Sequence, residues 1–227
     1  MIVDAIILAR GGSRGIPRKN IINFCGKPLI YWTISQCLSS KYIREVWVSS
    51  DSDEILKCAK DFGANPILRP NEIADHDVSS ETSWLHAINY IEGKMGLADL
   101  ILGPQVTSPL RESSDIDRAI DKFCKGSYDS MFSCSKAEDL FIWEESNNGK
   151  LTSSNYNYLS RKRRQDLPVQ IIENGSFYLF KPDILKNNNN RLGGKIGSTE
   201  MDYWKMFEID TWDDVKMCSS LMKEFLL

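Results

Sequence analysis

Two rhythms of apolar and polar residues alternate along this chain. "VDAIILA" (residues 3–9) is a near-continuous apolar run, the pattern of a strand buried on both faces. "PLIYWTISQCLSS" then has helical spacing, "EVWVSSD" reads as a strand, and "DEILKCAKDFG" as a helix ending on Gly63. The alternation continues through a short strand "NPILRP", a helix "SETSWLHAINYIEGKMG", a strand "LILGPQVT", a helix "ESSDIDRAIDKFCKG" closed by Gly126, and a strand "DSMFSCS". This order predicts an α/β fold: a doubly wound, mostly parallel sheet with helices on both faces.

At about residue 136 the rhythm stops. "EDLFIWEESNNGKLTSSNYNYLSRKRRQDLP" is polar, carries an N-N-G turn signal and has no helical period, so it reads as an excursion from the sheet. "ENGSFYLFKP" returns as a strand, and "NNNN" at 187–190 reads as a loop tip. "KMFEID" reads as a last strand, and "TWDDVKMCSSLMKEFLL" as a terminal helix. Thr211 with Asp214 three residues on is an N-cap signal for that helix, and Val215, Cys218, Leu221, Met222 and Phe225 supply an apolar stripe. There is no internal repeat and no linker separating two domains, so the expectation is one domain over 1–227 with a small arm at about 136–172.

Composition narrows the class. With 42% hydrophobic and 26% charged residues the chain is a globular one. No apolar run approaches the roughly 20 residues of a membrane span. The start "MIVDAIILAR" is interrupted by Asp4 and has no basic segment before it, so it is no signal peptide and the expected location is the cytoplasm. Six cysteines without a C-x-x-C pair read as reduced thiols, mostly packed as small hydrophobes. With two histidines, His76 and His86, a zinc site is not expected, and any metal should be a hard ion held by carboxylates. The net charge of −3 argues against nucleic acid as the main partner.

Against that acidic background, "LARGGSRGIPRKN" (residues 8–20) puts four cations and three glycines in thirteen residues. It follows the first strand and is far longer than the usual βα connection of roughly 2–6 residues. Long loops at the carboxyl ends of parallel strands are where α/β proteins bind ligands. Gly11, Gly12 and Gly15 let backbone amides approach an oxyanion, while Arg10, Arg14, Arg18 and Lys19 supply charge. Neither the P-loop spacing nor G-x-G-x-x-G is present.

"IILARGGSRGIPRKNI" closely resembles the N-terminal signature of the acylneuraminate cytidylyltransferases, the CMP-sialic acid synthetases. The resemblance continues in order through "VWVSSDSDEI", "PQVTSPLR", "RRQDLP", "ENGSFYLF", "GGK" and "EIDTWDD", and so spans nearly the whole chain. It implies a nucleotidyltransferase that joins CTP to a nine-carbon 2-keto acid sugar, with Mg²⁺, and releases pyrophosphate. The same chemistry on legionaminic, pseudaminic or Kdo sugars is the nearest rival, and a non-catalytic nucleotide-binding protein is a rival of another class.

By this resemblance the CTP site runs over Ala9, Arg10, Gly11, Gly12, Ser13, Lys19 and Asn20, with Arg10 and Lys19 on the phosphates and Asn20 on the ribose. Arg69 matches an arginine that reads cytosine, whose O2 and N3 accept from a guanidinium where uracil's N3–H cannot. Ser79 or Ser80 corresponds to a hydroxyl near the nucleotide. Gln105, Arg164, Gln165 and Tyr178 match sugar-contacting positions; an arginine is the natural planar partner of the sugar carboxylate. Ser108 reads as a cap of the following helix and Arg111 as structural. Where some relatives carry an arginine before the N-G pair, this chain has Glu173.

Glu208 and Asp210, two apart on the expected strand, should face one side and hold Mg²⁺ together with phosphate oxygens. The catalytic set is then Arg10, Lys19 and Asp210, and no histidine suits a general base. The arm carries Phe141, Ile142, Trp143 and Leu159, which need burial, and in the resembled family this region crosses to a second subunit. A homodimer with shared sites is therefore expected.

Overall fold

In the computed structural model, which describes residues 1–227 apart from Arg14, His76, Glu138, Asp139 and the side chain of Arg164, the N-terminal apolar run forms β1 (Val3–Leu8). The small hairpin β2 (Asn23–Phe24) and β3 (Lys27–Pro28) follows the basic loop and leads into α1 (Leu29–Leu38). Next come β4 (Ile43–Ser50), α2 (Asp53–Asp61), β5 (Asn65–Leu68), α3 (Ser80–Met95), β6 (Leu100–Pro104), α4 (Ser113–Gly126) and β7 (Ser130–Lys136). The hairpin β8 (Trp143–Glu145) and β9 (Leu151–Ser153) forms its own two-stranded sheet within the arm. β10 (Ile171–Phe180), α5 (Pro182–Asn188), β11 (Ile196–Glu200) and α6 (Trp212–Phe225) complete the chain.

Seven strands make the central sheet in the order β11-β7-β10-β6-β1-β4-β5. β10 runs antiparallel to both neighbours, and every other pairing is parallel. β1 shows why its sequence is apolar throughout. Ala5 and Ile7 join the core under α1, α2, α4 and α6, while Ile6 joins a second core with Trp84 and Ile88 of α3 and Leu185 of α5. Asp4, the break in that run, is fully buried and is neutralised by Arg44 through contacts of 2.9 and 2.5 Å.

Several expectations need correction. "KMFEID" is not a strand. Tyr203–Met206 is a 3₁₀ turn, and Ile209 makes a single backbone bond, donating to the carbonyl of Thr107 at 2.8 Å. β6 already has β1 on one edge and β10 on the other, so no ladder is open to this segment. The last strand is instead "IGSTE", β11. Two of the four asparagines at 187–190 belong to α5, and Asn189 closes it in the left-handed region. Gly126 is the last residue of α4 and Ser127 takes the left-handed cap. Ser108 is buried and caps nothing; Glu112 and Asp115 form the capping box of α4. In α6 the Thr211–Asp214 capping box forms and Cys218 and Met222 are buried, but Phe225 stays exposed, stacked at 4.5 Å on Trp204. All six cysteines are free; Cys37, Cys134 and Cys218 are buried.

Candidate active site

The loop after β1 is held at both ends by backbone contacts. Ala9 donates to the carbonyl of Ser49 at 3.0 Å, continuing the β1–β4 ladder past its last pair. The Gly11 amide donates to Asp51 Oδ1 at 2.8 Å, so in this structure a carboxylate already takes one of the amides expected to face an oxyanion. Buried Asn20 donates to the carbonyl of Arg10 at 2.9 Å and clamps the loop across its neck. Gly12 faces open space. Gly15 has no room for a side chain, because a Cβ there would lie 2.5 Å from the carbonyl oxygen of Asp210.

These contacts leave a cleft of about 340 Å³ beyond the carboxyl ends of β1 and β6. Its lining brings together Arg10, Ser13, Lys19 and Asn20 of the loop, Ser80 and Trp84 of α3, Gln105 and Thr107 after β6, and Asp210. Arg191 lines it too, and no sequence signal had marked it. A second hollow of about 360 Å³ shares Leu8, Arg10 and Ser80 with the first and is lined by Arg69 and Ser83 as well.

Lys19 is the bridge between the two halves. Its Nζ donates to Asp210 Oδ1 at 2.8 Å and to the carbonyl of Ile209 at 3.0 Å. Arg18, in the left-handed region, turns away and pairs with Glu54 of α2 at the surface. Arg14 lies outside the described residues. Ser80 reaches the cleft, whereas Ser79 caps α3 by accepting from the Thr82 amide at 3.3 Å.

Arg69 is buried and donates to Ser49 through Nε (3.1 Å) and NH2 (2.6 Å). Burial, together with the nearby Arg10, brings its guanidinium down to about 10, with Asp51 acting the other way. Arg111 is structural, as expected. It is buried beneath the cleft and donates to the carbonyls of Gln105 (2.5 Å) and Ser176 (2.7 Å) and to Thr33 Oγ1 (2.8 Å). It thereby fixes the turn that presents Gln105 and Thr107.

Glu208 and Asp210 are not on a strand, so the alternation expected to align them does not apply. Asp210 is open to solvent at the cleft, while Glu208 is tucked against Gly175 and Thr107 Oγ1. Gly175 has φ +63°, and a Cβ there would collide with the Glu208 carboxylate. Burial first, and then the charge of Asp210, push the Glu208 carboxyl above its usual value. Two carboxylates that sense each other in this way suit a divalent cation that takes its remaining ligands from a substrate. Among the described residues no group of three or more His, Cys, Asp and Glu comes together.

The expected sugar-contacting residues divide. Gln105 is in the cleft. Tyr178 is buried behind Arg191, whose guanidinium lies 4.2 Å above its ring, and its hydroxyl donates to Glu173. Burial and Glu173 push that hydroxyl up to about 12. Gln165 is exposed on the arm in a 3₁₀ turn, away from this chain's own cleft lining; the Arg164 side chain lies outside the described residues. The arm exposes Ile142, Trp143, Leu159 and Val169, the last two at 80% and 84% of their full surface, far more than a finished fold leaves open in one short segment. No helix among the described residues is long and apolar enough to cross a membrane.

Comparison with known proteins gives the family and the fold. The family model described as cytidylyltransferase matches residues 5–217. The N-acylneuraminate cytidylyltransferase A of Danio rerio is 36% identical over 211 residues, covering 92% of this chain and 48% of that protein. A pseudaminic acid cytidylyltransferase of Campylobacter jejuni subsp. jejuni (serotype O:23/36, strain 81-176) is 33% identical over 177 residues, 76% of this chain and 75% of that one. The chain thus spans about half the length of the N-acylneuraminate cytidylyltransferases it matches. Among solved structures, a CMP:2-keto-3-deoxy-manno-octonic acid synthetase complexed with CTP superposes with a TM-score of 0.75 at 17% identity, over 100% of both chains; this likeness concerns the fold.

Proposed function

This chain belongs to the cytidylyltransferase family, and within it we propose that the enzyme joins CTP to a nine-carbon 2-keto acid sugar of the N-acylneuraminate class, releasing pyrophosphate and forming the CMP-sugar. The observation that carries this reading is the cleft at the carboxyl ends of β1 and β6, where Arg10, Ser13 and Lys19 meet Asp210 and Gln105. Cations on a glycine-rich loop suit a triphosphate, and a polar far wall suits a sugar.

In this mechanism the anomeric hydroxyl of the sugar attacks the α-phosphorus in line. Arg10 and Lys19 stabilise charge that builds on the phosphoryl oxygens and on the departing pyrophosphate. Arg69 donates to cytosine in the adjoining hollow, and Ser80 lies between the two. Asp210, supported by Glu208, would hold Mg²⁺, which when bound supplies Lewis-acid stabilisation of the phosphates. Lys19 then exchanges its Asp210 partner for phosphate oxygens. Ordering both substrates along one cleft supplies much of the rate.

The working form in this reading is a cytoplasmic homodimer. The exposed apolar residues of the arm are buried against a second copy, which carries the arm's basic stretch, Arg161 to Arg164, and Gln165 towards the partner's sugar end. The test is pyrophosphate release from CTP against a panel of acid sugars. Release with an N-acylneuraminate supports the reading; release only with pseudaminic, legionaminic or Kdo sugars moves it to that sugar, and release with none refutes it.

A further inference from the structure

Arg191 stands at the wall of the cleft beside Trp84, on the turn that follows α5. Its guanidinium lies 4.2 Å over the Tyr178 ring and 5.3 Å from the centre of the Trp84 ring. NH1 donates to Glu81 Oε1 at 2.6 Å. The Nε–H is buried and meets no acceptor among the described residues. A buried donor left unmade costs free energy, and a bound molecule that brings an acceptor recovers it.

Charge decides what kind of acceptor. Arg191 is already balanced by Glu81, and the pair is mostly withdrawn from solvent, with side chains 25% and 15% exposed. Glu173 adds a further carboxylate on the far side of Tyr178. An anionic group brought to Arg191 would therefore meet a guanidinium whose charge is spent, near two carboxylates. A neutral acceptor meets a directed N–H and no net repulsion. Trp84, in the same wall, is almost wholly buried and backs the guanidinium rather than the cleft space.

We propose that Arg191 determines sugar specificity, its Nε–H donating to the carbonyl oxygen of an N-acyl amide. This rests on the acid-sugar reading above. It assigns the sugar carboxylate to other cations and makes the amide, which not every 2-keto acid sugar carries, the group this wall reads.

The experiment uses initial rates at saturating CTP with an N-acylneuraminate, its deaminated analogue bearing a hydroxyl in place of the amide, and Kdo. All three carry the same 2-keto carboxylate. Arg191→Met keeps an apolar stem over Tyr178, and Arg191→Lys keeps a charge for Glu81. With either variant, KM for the N-acyl sugar should rise about tenfold or more and KM for the deaminated analogue should rise less than about threefold, because a site built to donate discriminates only where there is an acceptor. KM for CTP is the control for an intact nucleotide site, and Arg191→Lys carries the test alone if Arg191→Met fails to fold. An equal rise for all three sugars would make Arg191 a carboxylate anchor and overturn the proposal, as would no rise at all. Wild-type enzyme that turns over none of the sugars overturns the substrate reading and this inference with it. An active wild type with insensitive variants overturns the inference alone.

Discussion

Lys19 Nζ lies 2.8 Å from Asp210 Oδ1, joining the basic loop to a carboxylate 191 residues later in the chain. Asp210 is 73% exposed, so the pair contributes little to stability, on the order of 0–1 kcal/mol. In the proposed mechanism the same ammonium meets the phosphates. Lys19→Ala should therefore lower kcat about a hundredfold or more while the melting temperature barely moves. Stopped-time assays beside thermal melts check this, and near-normal kcat would remove Lys19 from the chemistry.

Gly15 and Gly12 give a paired contrast. A Cβ at Gly15 would press on the Asp210 carbonyl, a backbone atom that cannot swing aside, whereas Gly12 faces open space. Gly15→Ala should destabilise by about 1–3 kcal/mol, the usual range for overpacking. Gly12→Ala should stay within about 0.5 kcal/mol of wild type. Urea unfolding curves of the two variants decide it.

Base selection should fall to Arg69. Pyrophosphate release is expected with CTP well above UTP, to be abolished by EDTA, and in Arg69→Ala to show KM for CTP raised about tenfold or more. Equal rates with UTP, or full activity in EDTA, would contradict the nucleotide and metal assignments.

Dimerisation should depend on the arm. Leu159→Asp combined with Val169→Asp places charge on two of its most exposed apolar positions and should yield a monomer by light scattering. Mixing Arg164→Ala chains with Lys19→Ala chains should restore part of the activity, since some heterodimers then hold one site free of both changes. A mixture as inactive as its parents means that the arm stays with its own chain.

Asp129 gives an acid-side signature. Lys181 Nζ at 2.7 Å and the Lys195 amide at 2.9 Å hold its carboxyl below the usual 3.8. A depressed folded value means that the unfolded chain binds the proton first. The stabilisation is thus complete above the usual value and is lost as pH falls through the depressed one. Asp129→Asn should be less stable than wild type at neutral pH, with the gap closing on acidification. A gap independent of pH would show that the carboxylate charge is not what matters.

The helices and the buried strands were legible because burial on two faces leaves continuous apolar runs, as in β1. β11 was not, because "IGSTE" borrows its apolar cover: Tyr128 packs over Gly197, where a Cβ would fall 2.9 Å from the ring. "KMFEID" had the pattern of a strand but runs past the end of β6, whose two edges are already taken by β1 and β10. In the site, Arg10 and Lys19 were legible from the density of cations within thirteen residues, but that density did not set apart Arg18, which pairs with Glu54 instead. Arg191 was not, since its ion-pair partner Glu81 lies 110 residues earlier and its own neighbours are a run of asparagines. Asp51 was hidden for the same reason, as its role is to accept an amide forty residues earlier.

The close approach of Gly15 to the Asp210 carbonyl also sets a schedule for biosynthesis. Translation at about 5–20 residues per second leaves roughly ten to forty seconds between the emergence of the loop and of its C-terminal counterpart. Through that interval the nascent chain has its basic loop but not the Asp210 carbonyl that Gly15 packs against. The loop takes its final shape only once the turn ahead of α6 has been made.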